Sequence, residues 1–234
     1  LFCGDDHAAK SSGYPAGSEN VLRDVKAAVF YPSSILEVID YAHHALALSR
    51  HSGLVCALKM VTPICDGAAT VSVTTNRSGF VLPRGPQDES PFNKVFQPVV
   101  IATGSLPYEE ELAEVRLELA REYGRLNQIN RIMNAGSRCT LGIVASGKSS
   151  TDVDMALEAL GIAGQIKILK LGLIFPLDHN IVKEFAQNLD TVVVVEEKGP
   201  FVEEPVAQAL LNTGVDRLFG KRGPEGSRLI PAHG

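Results

Sequence analysis

The sequence predicts an α/β protein of two α/β units with mainly parallel sheets. Three observations carry this. Residues 141–211 run strand, turn, helix three times in succession. The third of those strands, Thr191–Val195, is a β-branched run without polar alternation, the pattern of a strand covered on both faces of a parallel sheet. Residues 25–61 repeat the theme as an apolar strand, a long amphipathic helix and another strand.

Taken in order, Leu1-Phe2-Cys3 reads as the end of a strand that runs into Gly4-Asp5-Asp6-His7-Ala8-Ala9-Lys10-Ser11-Ser12-Gly13. Val25–Tyr31 is the next strand. Ser34 and Glu37 then form a capping box for a helix whose buried stripe is Ile35, Val38, Ile39, Ala42, Leu46 and Leu48. His43 and His44 lie in that helix without the i, i+4 spacing of a metal pair, which makes them packing residues. The helix ends near Gly53, Leu54–Val61 is a strand, and the first unit closes near Val73. Prolines 83, 86, 91 and 98 with Gly79 and Gly85 leave little regular structure in residues 74–101, so 74–137 reads as a connecting segment. It carries one charged amphipathic helix, Glu109–Asn127, with Leu112, Val115, Leu119 and Tyr123 on one side and Glu–Arg pairs on a solvated face.

The second unit spans 138–215. Its first strand is Leu141–Ala145, followed by a helix capped by Thr151 with Asp154 three residues on. Val153, Ala156, Leu157 and Leu160 recur at helical spacing, and Gly161 stands at C′. Ile166–Leu171 is the second strand. Pro176 and Asp178 open a helix buried through Ile181, Val182, Phe185 and Leu189. Residues 216–234 form a glycine-rich polar tail. The chain starts without methionine and stops without a terminal helix, and it reads as a piece of a longer polypeptide.

The hydrophobic fraction of 45% and charged fraction of 21% are those of an ordinary soluble globular protein. A net charge of -5 excludes the basic footprint of a nucleic-acid binder. Apolar runs are too short to span a bilayer, and no signal peptide is visible. The four cysteines (Cys3, Cys56, Cys65, Cys139) lack metal-ligand spacing; three sit in apolar or strand-like surroundings and read as buried free thiols in a reducing cytoplasm. Closely spaced cluster thiolates are missing as well.

Gly142 to Ser149 satisfies G-x-x-x-x-G-K-S, the phosphate-binding P-loop pattern. A true P-loop places its strand before the first glycine. Here Ile143, Val144, Ala145 and Ser146 look like the strand itself. The competing readings are a nucleotide-binding module using Gly147, Lys148 and Ser149, with Glu196 as a distant magnesium-side carboxylate, and a plain strand-to-helix turn in which Gly147 supplies unusual φ/ψ. The Gly4–Gly13 loop also has two readings. It is a ligand loop beyond the carboxyl end of a strand, or a polar turn whose side chains bond their own backbone.

Gly4-Asp5-Asp6-His7-Ala8-Ala9-Lys10-Ser11-Ser12, Ala47-Leu48-Ser49-Arg50-His51-Ser52-Gly53, Ala57-Leu58-Lys59, Leu141–Val144 with Ser146–Ser149, Val193–Lys198, Gly220-Lys221-Arg222 and Leu229–Gly234 together resemble the large fused indolepyruvate ferredoxin oxidoreductases. The resemblance covers nearly the whole chain, in order. It implies an enzyme that decarboxylates an aryl 2-oxoacid on thiamine diphosphate with Mg²⁺, hands the acyl group to coenzyme A, and passes electrons through [4Fe-4S] clusters to ferredoxin, as a cytoplasmic homodimer. It implies further that residues 1–73 end the thiamine-pyrimidine domain and that 138–215 form a three-layer transketolase C-terminal-like domain, with the tail leading to a missing domain. The catalytic glutamate, the diphosphate motif and the cluster cysteines would lie outside the chain, so this piece alone would be inactive and hold no tightly bound cofactor. The resemblance points to the first loop, with His7 and Asp6 as catalytic and Asp5, Ser11 and Ser12 as cofactor-facing; His7 suits proton donation or carboxylate pairing near neutral pH. Pro63-Ile64-Cys65-Asp66 and Gly13–Asn20 depart from the family pattern. A structural or docking domain without a site of its own is the third reading.

Overall fold

The structure, a computed structural model, describes residues 1–72, 79–85, 92, 94, 101–134, 136 and 139–229. Most of residues 74–101, the end of the first unit at Val73 and the last tail residues lie outside these.

The first sheet has the order β1-β3-β2-β7, with β1 (Phe2–Asp5), β2 (Ala28–Phe30) and β3 (Cys56–Val61) parallel. Between β1 and β2 lies the short helix α1 (Glu19–Asp24), and α2 (Ile35–Ser52) crosses from β2 to β3. A single turn, α3 (Thr62–Cys65), follows β3. Ser34 caps α2 by accepting from the Glu37 N–H at 3.2 Å, as expected. The Glu37 carboxylate, however, turns to the N–H and hydroxyl of Ser33, both at 2.8 Å. The buried stripe of α2 is Glu37, Tyr41, Ala45, Leu48 and Ser52, while Leu46 is exposed. The apolar residues alone misplace the phase, because Tyr41, Ala45 and Leu48 pack on a helix from much later in the chain.

That helix is α5 (Leu117–Leu126). It continues α4 (Ala102–Glu110) through a π-helical stretch, Glu111–Arg116. Pro107 inside α4 removes one N–H from the ladder, and the widened turn follows it. Leu119 and Tyr123 are buried as expected, and Glu118–Arg121 and Glu122–Arg125 pair on the exposed side.

The second sheet has the order β4-β6-β5-β8-β9. β5 (Leu141–Ser146), β6 (Lys167–Leu171), β8 (Thr191–Val195) and β9 (Arg217–Phe219) are parallel, and β4 (Arg131–Met133) is an antiparallel edge. Val144, Leu169, Val192 and Val194 face α7 (His179–Phe185) and α8 (Glu203–Leu210), with Val182 and Phe185 wholly buried between. Ala145, Ile143 and Ile168 face Val153 and Leu157 of α6 (Lys148–Ala159) on the other side. This is the expected three-layer arrangement.

Asp178 caps α7, accepting from the Asn180 N–H at 2.9 Å. Gly161 ends α6 at φ +71°. The Gly161 N–H bonds the Glu158 carbonyl and the Ile162 N–H bonds the Leu157 carbonyl, a Schellman closure. Thr151 is not the cap of α6: Gly147 is, and Thr151 lies one turn inside with its hydroxyl on the Ser33 carbonyl. The burial expected for three cysteines holds for Cys56, whereas Cys65 is exposed and Cys3 and Cys139 are half-buried; none of the four is in a disulfide.

Of two strands with no signal in the sequence, one joins the units and the other extends the second sheet. β7 (Leu173–Phe175), continuing directly from β6, leaves the second sheet and pairs antiparallel with β2 of the first. One core cluster therefore runs from Val29 and Ala57 through Ile174 to Val144, Val192 and Val206. β4 belongs to the second sheet although it precedes residue 138.

Candidate functional site

The parallel strands of both sheets point their carboxyl ends into one place, where ligand sites form in open α/β sheets. From the first sheet come the loop after β1, Tyr31 after β2 and Lys59 within β3. From the second come Glu196 and Glu197 after β8 and the Gly147 turn after β5.

His7 is the hub. Its Nδ1 lies 3.1 Å from Glu197 Oε2, and its Nε2 lies 3.4 Å from Glu19 Oε1 and 4.0 Å from Asp5 Oδ2. These are charge contacts, since neither nitrogen makes an aligned hydrogen bond. His7 is 5% exposed. Lys59, also buried, donates to Glu19, lies 3.8 Å from Asp5, and sits 4.5 Å over the Tyr31 ring. The Tyr31 hydroxyl donates to Glu197. Asp5, His7 and Glu19 offer three ligand atoms within 4.8 Å of one another, a spacing that suits a metal. The Lys59 ammonium already supplies the positive charge there, so the group reads as an ion-pair cluster.

Asp5 and Asp6 serve different ends. Asp5 Oδ2 accepts from the N–H and hydroxyl of Ser18, both at 3.1 Å, just before α1. Asp6 accepts from the N–H groups of Lys10, Ser11 and Ser12 at 2.9, 2.7 and 2.7 Å, and from the hydroxyls of Ser11 and Ser12 at 3.2 and 3.0 Å. Those N–H donors, Ser11 foremost, hold its carboxyl well below the usual carboxylate range. Asp6 is thus the staple of the loop, with no proton to give. Ser11 and Ser12 remain on the exposed side.

Burial pushes the His7 imidazole down, but the carboxylates of Glu19 and Glu197 pull it above its ordinary 6.5. Burial raises Glu19, but His7 and Lys59 outweigh it and bring the carboxyl to about 2. Glu197 is likewise lowered by His7 and Tyr31 against its burial. A base raised on folding stabilises fully below its unfolded value and loses that contribution as pH climbs through the folded one; a lowered acid stabilises above its unfolded value and loses it as pH falls. The cluster is therefore most stabilising between the ordinary Glu value of 4.5 and the ordinary His value of 6.5. The stability difference between the wild-type chain and His7→Gln, followed by urea unfolding, is expected to be largest in that window and to shrink above neutrality. A difference that grows with pH would contradict the pairing.

Glu196 takes the opposite direction from its neighbour. It accepts from the N–H groups of Val202 and Glu203 at 2.7 and 2.9 Å, capping α8, and its burial pushes it up to about 7 against those donors and Lys221. It is a cap, not a magnesium-side carboxylate.

The P-loop reading fails on geometry. Residues 141–146 are strand β5, leaving no loop of N–H groups between Gly142 and Gly147. Gly147 adopts φ +51°, and a Cβ there would enter the Tyr31 ring. The Tyr31 ring thus covers the turn that a phosphate would need. Lys148 pairs with Asp152 on the outside, and Ser149 and Ser150 are buried.

Of the five residues the sequence singled out, all lie on this loop, and His7, Asp5 and Asp6 are buried in it. Sequence reasoning missed Glu19, Tyr31, Lys59 and Glu197 as their partners. Two signals were legible: a lysine inside an apolar strand, Cys56–Val61, and a carboxylate pair directly after four valines.

The solved 2-oxoglutarate:ferredoxin oxidoreductase from Magnetococcus marinus matches the fold with a TM-score of 0.50 over 88% of this chain and 40% of its own, at 11% identity. Residues 131–234 match the indolepyruvate oxidoreductase domain. The chain as a whole is 29% identical over 210 residues to the indolepyruvate oxidoreductase subunit IorA of Methanothermobacter thermautotrophicus, covering 88% of this chain and 32% of the relative. It is 28% identical over 226 residues to IorA of Pyrococcus abyssi, covering 93% and 33%. The chain therefore spans about a third of the length of the curated relatives it matches. Among the described residues no helix is long and apolar enough to cross a membrane.

Thiamine diphosphate, the cofactor that the sequence resemblance implies, requires a glutamate free to meet the pyrimidine and an oxygen-rich cation site for the diphosphate. The cluster does not fit it: Glu19 is committed to Lys59 and His7, and the Gly147 turn is covered by Tyr31.

Proposed function

We propose that this chain is an internal section of a thiamine diphosphate-dependent oxidoreductase that oxidatively decarboxylates an aryl 2-oxoacid of the indolepyruvate kind, forms the acyl-CoA and reduces ferredoxin. The observation that carries the reading is the 29% identity to IorA over 210 residues, 88% of this chain and so spanning both sheets. In the whole enzyme this section braces the active site. The cofactor, its Mg²⁺ and the [4Fe-4S] clusters are held by other parts of a cytoplasmic homodimer.

Within the section we assign His7 to positioning. Enclosed by Glu19 and Glu197, it ties the first loop to the end of β8 and has no open face toward a substrate. Asp6 shapes the loop, Asp5 anchors it to α1, and the exposed Ser11 and Ser12 are the groups it presents to cofactor or substrate.

The test is viologen-dye reduction by the complete gene product that carries this chain, supplied with coenzyme A, thiamine diphosphate and either indolepyruvate or pyruvate. Turnover is expected with indolepyruvate, less with pyruvate, and none from the 234-residue chain alone. Failure of the complete product to oxidise any 2-oxoacid would overturn the reading.

A further inference from the structure

Residues Gly13 to Gly17 form a short span that belongs to no strand or helix. Both of its feet are tied. In front of it, Asp6 holds Ser12 through the N–H at 2.7 Å and the hydroxyl at 3.0 Å. Behind it, Asp5 holds Ser18 through the N–H and the hydroxyl, both at 3.1 Å. A glycine stands just inside each foot, where its backbone freedom lets the chain turn. Between the glycines Tyr14 is 76% exposed, and Pro15 and Ala16 are half-buried.

The span is held midway from the other unit. The Lys198 ammonium donates to the Pro15 carbonyl and lies 5.9 Å from the centre of the Tyr14 ring. Among the described residues this is the one hydrogen bond that reaches the span from the second unit. Within the first unit the Ala16 N–H donates to the Asp6 carbonyl at 3.0 Å, and the Ser12 hydroxyl donates to the Tyr14 carbonyl at 2.8 Å. Lys198 takes φ +58°, a conformation that disfavours a side chain and persists where surrounding contacts fix it. The rear of the span rests on the charged cluster. A Cβ at Gly17 would stand 2.7 Å from Glu19 Oε2 and 3.5 Å from Lys198 Cδ, so the backbone there is seated on the Glu19 carboxylate. The other oxygen of Glu19 is the one that Lys59 and His7 share.

We propose that Gly13 to Gly17 is a strap, hinged at its two glycines and latched by Lys198, which closes the entry to the cluster of His7, Lys59 and Glu19 between the two sheets. Released, it swings out on its anchored feet and opens Glu19 to solvent or to an entering ligand, while Asp5 and Asp6 keep their bonds. The latch is one ammonium–carbonyl bond and one cation–π contact at the limit of its range, against five bonds on Asp6, so the latch yields first. Lys198 is thereby a positioning residue. The strap is a property of the fold and is independent of the proposed reaction.

Amide-proton exchange of the 234-residue chain, resolved by residue with NMR, tests it. The Ala16 N–H reports the strap, the Ser12 N–H its foot, and the Val194 N–H the core. Lys198→Met is expected to speed exchange at Ala16 about tenfold and to leave Ser12 and Val194 within about twofold of the wild-type rates. Lys198→Arg keeps the charge and the donors and is expected to restore the slow rate at Ala16. Gly17→Ala sets a methyl against Glu19 and is expected to speed Ala16 with Lys198 in place. Unchanged exchange at Ala16 in Lys198→Met, equal acceleration at Ala16 and Ser12, fast exchange in Lys198→Arg, or a slow Ala16 in Gly17→Ala would each overturn the proposal.

Discussion

Lys59→Met is expected to lower the unfolding free energy by about 3–5 kcal/mol, the cost of removing one partner from a buried ionic group. The side chain is 2% exposed and is the cation nearest to both Glu19 and Asp5. Methionine fills the same volume and keeps the apolar strand, so the loss is electrostatic. Glu19 and Asp5 would face each other across a dry space with His7 alone to answer them. The double variant Lys59→Met/Glu19→Gln removes the stranded charge and is expected to recover at least about 1 kcal/mol over the sum of the single changes. Denaturant unfolding at neutral pH measures all three. A loss under about 1 kcal/mol for Lys59→Met would mean that water reaches the cluster, and the ion-pair reading would fall.

Gly147→Ala is expected to cost about 3 kcal/mol or more, because two effects of about 1–3 kcal/mol each combine. At φ +51° and ψ -134° a side chain strains the backbone. The new methyl also overlaps the Tyr31 ring, which overpacks the turn. Tyr31 cannot retreat freely, because its hydroxyl is held by Glu197 and Lys59 lies over its face. The change should therefore also disturb the His7 cluster, seen as a shift of the His7 ring resonances. A nearly neutral Gly147→Ala would show that the turn is open, as a phosphate-binding loop requires. An open turn would also raise the melting temperature in the presence of Mg-ATP, whereas the covered turn is expected to leave it unchanged.

The α/β class and the three-layer second unit were legible because their signals are local. An unbroken run of valines needs cover on two faces, and the structure covers Thr191–Val195 from both sides, with Val192 and Val194 on the fully buried one. Asp178 as a cap and Gly161 as a terminator act within four residues, so spacing alone located them. The loop after β1 was legible as chemistry for the same reason, since its carboxylates, imidazole and hydroxyls are contiguous. Thr151 was misread because a glycine turn pressed on a distant tyrosine starts α6 earlier than any local cap would.

Short-range signals thus set which segments become strands and helices, where several of them stop, and which loop concentrates polar groups. The work of that loop was settled by packing at a distance. His7 reaches Glu197 near the other end of the chain, and Lys59 reaches Glu19 across 40 residues. Strand β7 leaves its own sheet for the other unit. Such pairings cost loop-closure entropy and are offset by long-range burial and charge neutralisation. A residue's neighbours in sequence carry no record of either, and so the clamp at His7 and the join at β7 emerge only when the two sheets are packed against each other.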